Sequence, residues 1–310
     1  MSTLSKFEIN KQLLIKNIDK NLPLAVSFFE IGKIISKPVL LKQGIANINY
    51  LVTTNTGSYV IKILLTEDSE DLANEIEIQK QLSDVGILCP CYIQNSDGFY
   101  LFKENNTEMV VSKLLPGTTV KKISNEFCFN MGVLLAKFHR SVLKLNHTHK
   151  GWLNRNSLNA DSKSFQLDKN STITSLSELK KRGESVIYNS SLPTGIIHGD
   201  LYEGNVLIGL VNPNVITAIF DFEHSENNIL LVDLARTILS IAENTTGKKL
   251  ESHLLNSTVE GYTSIRRLEV SEIRHLSDAI KYVAGIGGLW LVLHGEMKLA
   301  EKYLHKARSI

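Results

Sequence analysis

At 310 residues the chain exceeds the roughly 250–300 at which a single core usually divides, so two domains are expected. With 43% hydrophobic and 21% charged residues and a mean hydropathy of −0.02, the composition is that of an ordinary globular protein that builds its core without disulfides. A formal charge of +2 and a pI near 8.3 are too slight to suggest a nucleic-acid partner, and the basic runs Lys121-Lys122, Lys180-Lys181-Arg182 and Lys248-Lys249 are short and dispersed, as on a solvated face.

The first residues, Met-Ser-Thr-Leu-Ser-Lys-Phe-Glu-Ile, lack the apolar core and small-residue cleavage site of a signal peptide. The longest apolar run, 284–293, is broken by glycines and falls short of the ~20 residues a bilayer span needs. Three cysteines suit a reducing compartment. A cytoplasmic protein with no membrane partner is expected, as a monomer or homodimer. Cys89-Pro90-Cys91 has no second cysteine pair, and His147-Thr148-His149 reads as a polar loop, so no structural zinc is expected.

In chain order, residues 8–21 show helical apolar spacing, closed by Pro23. Residues 38–45, 49–54 and 59–64 read as three strands of an antiparallel meander, with Asn55-Thr56-Gly57-Ser58 as the hairpin turn. Residues 68–84 read as a helix with acidic residues in its first turns and Leu72, Ile76, Gln79 and Leu82 near one face, stopped by Gly86. Two or three short strands follow, over 91–94, 99–103 and 108–114, before Leu115-Pro116-Gly117 breaks the chain. The expected organisation is α+β, a small antiparallel-sheet lobe over 1–110, a hinge at 111–116, and a larger, mostly helical lobe over 117–310. In that lobe the stripe Phe127, Met131, Leu134, Leu135 and Phe138 marks one helix, and 173–190, 232–242, 251–266 and 271–305 mark four more.

The chemistry concentrates in 196–223. The run Ile-Ile-His-Gly-Asp-Leu-Tyr-Glu-Gly-Asn-Val-Leu-Ile-Gly is followed, after a turn, by Ile-Thr-Ala-Ile-Phe-Asp-Phe-Glu. Asp200, Asn205 and Asp221 thus stand at the ends of short apolar strands, on a rigid frame. Each half alone could be an ordinary turn, since Asp, Asn and Gly favour turns for local backbone reasons. Together, in this order, they match what phosphoryl transfer to a hydroxyl needs: Asp200 to position the acceptor and take its proton, Asn205 and Asp221 to hold Mg²⁺ on the phosphates of ATP. His198 is expected to brace this catalytic loop by hydrogen bonding.

Lys62 sits between β-branched residues in Val-Ile-Lys-Ile. Period-2 alternation allows it simply to face outward, but a strand lysine can also hold the α and β phosphates and pair with a helix carboxylate, here Glu75, with Glu77 as the alternative. The loop Gly44-Ile-Ala-Asn-Ile-Asn offers backbone N–H groups and Asn47 to phosphate. The backbone from Val110 through Ser112 to Leu114 is expected to meet an adenine edge.

At these residues the chain resembles the aminoglycoside-phosphotransferase and choline-kinase superfamily, which has a protein-kinase-like fold, and within it the kinase-like bacterial homoserine kinases. The resemblance runs from about residue 40 to 295 through Gly44-Ile-Ala-Asn-Ile-Asn-Tyr-Leu-Val-Thr-Thr, Gly86-Ile-Leu-Cys-Pro, Leu114-Leu-Pro-Gly, Met131-Gly-Val-Leu-Leu-Ala-Lys-Phe-His, the block 192–206, and Gly261-Tyr-Thr-Ser-Ile-Arg-Arg-Leu. His198-Gly199-Asp200 and Asp221-Phe222-Glu223 look like the forms of the broader superfamily. The resemblance implies an ATP- and Mg²⁺-dependent kinase whose partner is a small-molecule alcohol. Homoserine is a zwitterion, so Glu203, Glu223 and Glu226 are candidates for its ammonium and Arg236 for its carboxylate. Aminoglycosides would favour an acidic protein, and choline an aromatic cage, which a 7% aromatic content without a visible cluster does not suggest. A non-catalytic nucleotide-binding scaffold would be expected to lack one of Lys62, Asp200 or Asn205, and all are present.

Overall fold

The structure, a computed structural model, describes residues 18–41, 48–64, 69–104, 107–142, 151–153, 171–243 and 251–309. Asn47, most of the loop 44–49, the start of the first expected helix and His147-Thr148-His149 lie outside the described residues. The chain forms two compact units. One comprises residues 1–69 and 89–115, the other 70–88 and 116–310.

The first unit is built on a five-stranded antiparallel sheet ordered β1-β2-β3-β5-β4, from β1 (Val39–Leu41), β2 (Ile48–Thr54), β3 (Gly57–Leu64), β4 (Phe102–Glu104) and β5 (Thr107–Lys113). Alternation decides its faces: Ile48, Tyr50, Val52, Ile61 and Ile63 point inward, and helix α1 (Ile18–Phe28) buries Leu22, Ala25 and Val26 in the same core. Pro23 was expected to end that helix but lies inside it. A proline inside a helix removes one ladder bond, and the burial of Leu22, Ala25 and Val26 around it offsets that loss. The expected strand at 91–94 is reduced to a single bridge between Tyr92 and Ser112. The first residues of the expected hinge at 111–116 are strand, because β5 continues to Lys113, where it pairs with Tyr59.

In the second unit α2 (Ser69–Asp84) buries Leu72, Glu75, Ile78, Gln79 and Leu82, a stripe that passes through Glu75 and Ile78 rather than Ile76. Two small antiparallel ribbons follow, β6 (Thr194–Ile197) with β9 (Glu226–Ile229) and β7 (Val206–Ile208) with β8 (Ile216–Ile219). Around them pack α3 (Asn125–Ser141), α4 (Ser171–Ile187), α5 (Leu230–Glu243), α6 (Ser252–Ile265), α7 (Val270–Leu293) and α8 (Met297–Ala307). The single helix expected over 271–305 is two helices, because Gly295 turns the backbone left-handed (φ +82°) and the N–H of Glu296 returns to the Leu291 carbonyl. At 24 residues α7 is long and apolar enough to cross a membrane, more than the run 284–293 implied. Its apolar residues from Ala279 to Leu289 are instead buried against α4, α5 and α8.

Candidate active site

In the second unit, hydrogen bonds from several elements converge on residues 198–205. Strand β6 ends at Ile197 and delivers His198 into a fully buried position. Its Nε2 lies 3.2 Å from the Phe220 carbonyl and its Nδ1 3.3 Å from the Asp200 N–H, so the ring carries its proton on Nε2 and accepts at Nδ1. One imidazole therefore ties the Asp200 loop to the segment just before Asp221. Burial pushes this ring below its usual range, against the pull of Asp233, Asp200 and Asp221, and keeps it neutral. Phe138 and Phe222 flank it, with ring centroids 5.6 and 5.3 Å away.

Gly199 adopts φ +78°, and a Cβ there would run into the His224 carbonyl oxygen. Only glycine satisfies both conditions, which gives the His198-Gly199-Asp200 form a local reason. The Gly199 carbonyl accepts from the Trp152 indole at 3.0 Å.

Helix α5 grips the loop with one face. Asp233, Arg236 and Thr237 stand at i, i+3 and i+4, all buried, and so project the same way. The Asp233 carboxylate accepts the N–H groups of His198 (2.7 Å) and Gly199 (3.0 Å). Arg236 donates to Asp200 Oδ1 at 2.7 Å, and the Thr237 hydroxyl donates to the Leu201 carbonyl at 3.0 Å. Behind Asp233 stands His139 Nε2 at 3.0 Å, whose Nδ1 meets the Tyr262 hydroxyl at 2.7 Å. Burial alone would push the Asp233 carboxyl up, but His139 and His198 together hold it below the usual carboxylate range.

Asp233, Thr237, His139 and Trp152 were not expected from sequence. A signal was present in Leu-Leu-Val-Asp-Leu-Ala-Arg-Thr-Ile-Leu-Ser, where polar residues at helical spacing interrupt an otherwise apolar helix. Arg236 was expected at an acceptor carboxylate and is found on the Asp200 carboxylate.

A turn of 3₁₀ helix, Glu203–Asn205, brings Asn205 back onto the loop. Its Nδ2 donates to the Asp200 carbonyl (2.9 Å) and reaches Asp200 Oδ2 at 3.3 Å, while its backbone carbonyl accepts from Phe220 N–H at 3.1 Å. That bond draws Asp221 to the same place. Asp221 has φ +72°, a left-handed conformation that aspartate tolerates better than most residues. With its amide nitrogen committed to Asp200, Asn205 has its Oδ1 without a hydrogen-bond partner among the described residues. The Asn205 amide oxygen and the Asp221 carboxylate are hard oxygen groups of the kind that could hold Mg²⁺. Among the described residues no group of three or more His, Cys, Asp or Glu could hold a metal.

Burial pushes the Glu203 carboxyl up, against its own backbone N–H and Arg236. Glu223 is partly exposed, 3.7 Å from His224 Nε2. Glu226 is fully buried in β9, where it accepts from Asn228.

In the first unit Lys62 sits in β3 opposite Asn49 and Val110, on the face away from buried Ile61 and Ile63. Of its two candidate partners on α2, Glu75 is buried and Glu77 exposed. Ser112 lies inside the sheet, and the Leu114 N–H already donates to the Ser58 carbonyl at 3.0 Å.

The sequence profile described as the phosphotransferase enzyme family matches residues 39–268. A homoserine kinase from Neisseria meningitidis serogroup B is 25% identical over 271 residues, covering 86% of this chain and 85% of that protein. One from Rhizobium meliloti is 27% identical, covering 80% and 76%. Among solved structures, the amicoumacin kinase hAmiN in complex with AMP-PNP and Ca²⁺ superposes with a TM-score of 0.75 at 14% identity, covering 96% of this chain and 95% of that one. A microcompartment-associated aminopropanol kinase superposes at 0.74 with 15% identity, covering 92% and 95%. Both share the fold.

Proposed function

This chain belongs to the phosphotransferase enzyme family, and we propose that within it the chain is a cytoplasmic ATP- and Mg²⁺-dependent homoserine kinase. The acceptor rests on one observation: relatives named homoserine kinase align along as much as 86% of the chain, far beyond the catalytic loop. In this reading Asp200 receives the acceptor hydroxyl and orients it toward the γ-phosphorus. As the new O–P bond forms and the bond to the β-phosphate oxygen breaks, the hydroxyl proton passes to an Asp200 carboxylate oxygen. Arg236 holds that carboxylate in one rotamer and balances its charge. His198 stays neutral and fixes the loop rather than carrying protons.

Asn205 and Asp221 would hold the metal ion, and Lys62 would hold the phosphates. When bound, Mg²⁺ neutralises charge on the transferred group. Phosphoryl transfer is chiefly positioning and charge stabilisation, which suits a loop whose residues 198–201 are each anchored by a neighbour.

Aminoglycoside and choline acceptors are the competing reading. For L-homoserine, kcat/KM is expected to exceed that for choline or kanamycin by at least ~10³, because a site that pairs both charges rejects molecules lacking one. In the same assay Asp200→Asn should lower kcat by ~10²–10⁴ while leaving KM for ATP unchanged. Comparable turnover of choline or kanamycin would overturn the homoserine assignment.

A further inference from the structure

The Arg236 guanidinium, buried on α5, donates to Asp200 Oδ1 at 2.7 Å, and two aromatic rings lie against it. Its central carbon is 5.6 Å from the centroid of the Trp152 ring and 5.8 Å from that of the Tyr202 ring. Both distances fall inside the ~6 Å over which a cation is drawn to a ring face.

Each ring is held by its own surroundings. Gly151 packs so tightly that a Cβ there would lie 2.5 Å from the His224 carbonyl oxygen, and the Leu153 carbonyl accepts from the Tyr282 hydroxyl at 3.0 Å. The Trp152 backbone is thus pinned on both sides, and its indole N–H donates to the Gly199 carbonyl at 3.0 Å. Tyr202 folds its ring over Gly204, where a Cβ would lie 2.4 Å from the ring edge. Glycine at 204 leaves the room that this ring needs.

Aromatic faces suit this place better than a carboxylate. A second carboxylate would compete with Asp200 for the guanidinium N–H groups and would add negative charge beside a site that has to admit phosphates. A ring attracts the cation and brings no charge of its own.

We propose that Trp152 and Tyr202 are positioning residues for phosphoryl transfer, their rings holding the Arg236 guanidinium and, through it, the Asp200 carboxylate in the orientation that meets the acceptor hydroxyl. The proposal rests on the kinase reading above. Trp152 acts on the same loop a second time, because the Gly199 carbonyl it binds stands one residue before Asp200. A loosened guanidinium frees the Asp200 side chain to leave the attack geometry, which slows the chemical step and spares nucleotide affinity.

The test is a double-mutant cycle on the purified full chain, with L-homoserine, choline and kanamycin screened first and the alcohol that the wild type phosphorylates used as acceptor. Trp152→Leu and Tyr202→Leu should each lower kcat by ~3–30-fold and leave KM for ATP unchanged. Trp152→Phe, which keeps a ring and loses the N–H, should recover part of the kcat lost in Trp152→Leu. Tyr202→Phe should recover most of that lost in Tyr202→Leu. Added to Arg236→Met, Tyr202→Leu should change kcat by less than ~2-fold, because the cation it acts through is gone. If Tyr202→Leu lowers kcat by the same factor with and without Arg236, or if KM for ATP rises in step with the loss, the aromatic support is overturned while the kinase reading stands. Should Tyr202→Leu not fold, the two Trp152 variants decide, and equal kcat in both would overturn the role of the ring face. If the wild type phosphorylates no alcohol, the kinase reading falls and this proposal with it.

Discussion

Three side chains on one face of α5 anchor residues 198–201: Asp233 takes two N–H groups, Arg236 the Asp200 carboxylate, and Thr237 the Leu201 carbonyl. His198 completes the set as a neutral crosslink, and this has a consequence for acid stability. Its proton affinity is depressed in the fold, while in the unfolded chain it returns to about 6.5. Below about pH 6.5 the unfolded chain therefore binds a proton that the native chain refuses, so the stability contribution is full above that pH and shrinks as pH falls. The depressed Asp233 carboxyl acts in the same direction, but only below about pH 3.9. Urea midpoints between pH 7.5 and 5.5 should fall for the wild type, and less steeply for His198→Gln, by at most ~1.4 kcal/mol per pH unit. Identical slopes would remove His198 from the acid response. The meeting of Asp200 and Asn205 was legible in the sequence because their loop motif is local. Asp233 and Thr237 were not, because they act on residues some 35 positions away. Arg236 stood out as a lone cation in an apolar helix, but its partner is fixed by the fold alone.

Elements were legible where periodicity is strong. The meander 48–64 with its Asn55-Thr56 turn, helix α2 and the helices of the second unit follow from their apolar spacing. The misses fell where tertiary packing overrides a local rule. Helix α1 runs through Pro23 because its neighbours are buried, and one long amphipathic pattern holds two helices because Gly295 breaks it. The crossing of α3 and α6 depends on closeness of a kind no periodicity reports. A Cβ at Gly132 would strike the Thr258 carbonyl oxygen, and one at Gly261 the Phe129 carbonyl oxygen. Gly261→Ala is thus a contest between two terms. Alanine favours a helix interior over glycine by ~1 kcal/mol, whereas forcing packed backbones apart costs ~1–3 kcal/mol or more. Chemical denaturation should show net destabilisation. A stabilised variant would mean that the two helices can separate freely. The adjacent Tyr262 also holds His139, so the same crossing sets the position of the Asp233 support.

At the scale of the whole chain, nucleotide and metal should act as a linked stabiliser of the native state. A ligand present at 100 times its Kd adds ~2.7 kcal/mol. The thermal midpoint with ATP and Mg²⁺ should exceed that with ATP and a chelator, and Asp221→Asn should lose this metal-dependent increment. Asparagine is the cleaner substitution here because it tolerates the left-handed backbone at 221, whereas alanine would add strain to the loss of the carboxylate. An undiminished increment would mean that another group holds the ion. The indole bond to Gly199 has a further, optical consequence. The chain contains two tryptophans, Trp152 on the catalytic-loop carbonyl and Trp290 with its ring 6.4 Å away. The Arg236 guanidinium lies 5.6 Å from the Trp152 ring centroid, in range to perturb its excited state. Intrinsic emission from this protein is therefore a signal from one neighbourhood, and a movement of the loop changes its colour and yield without any attached label.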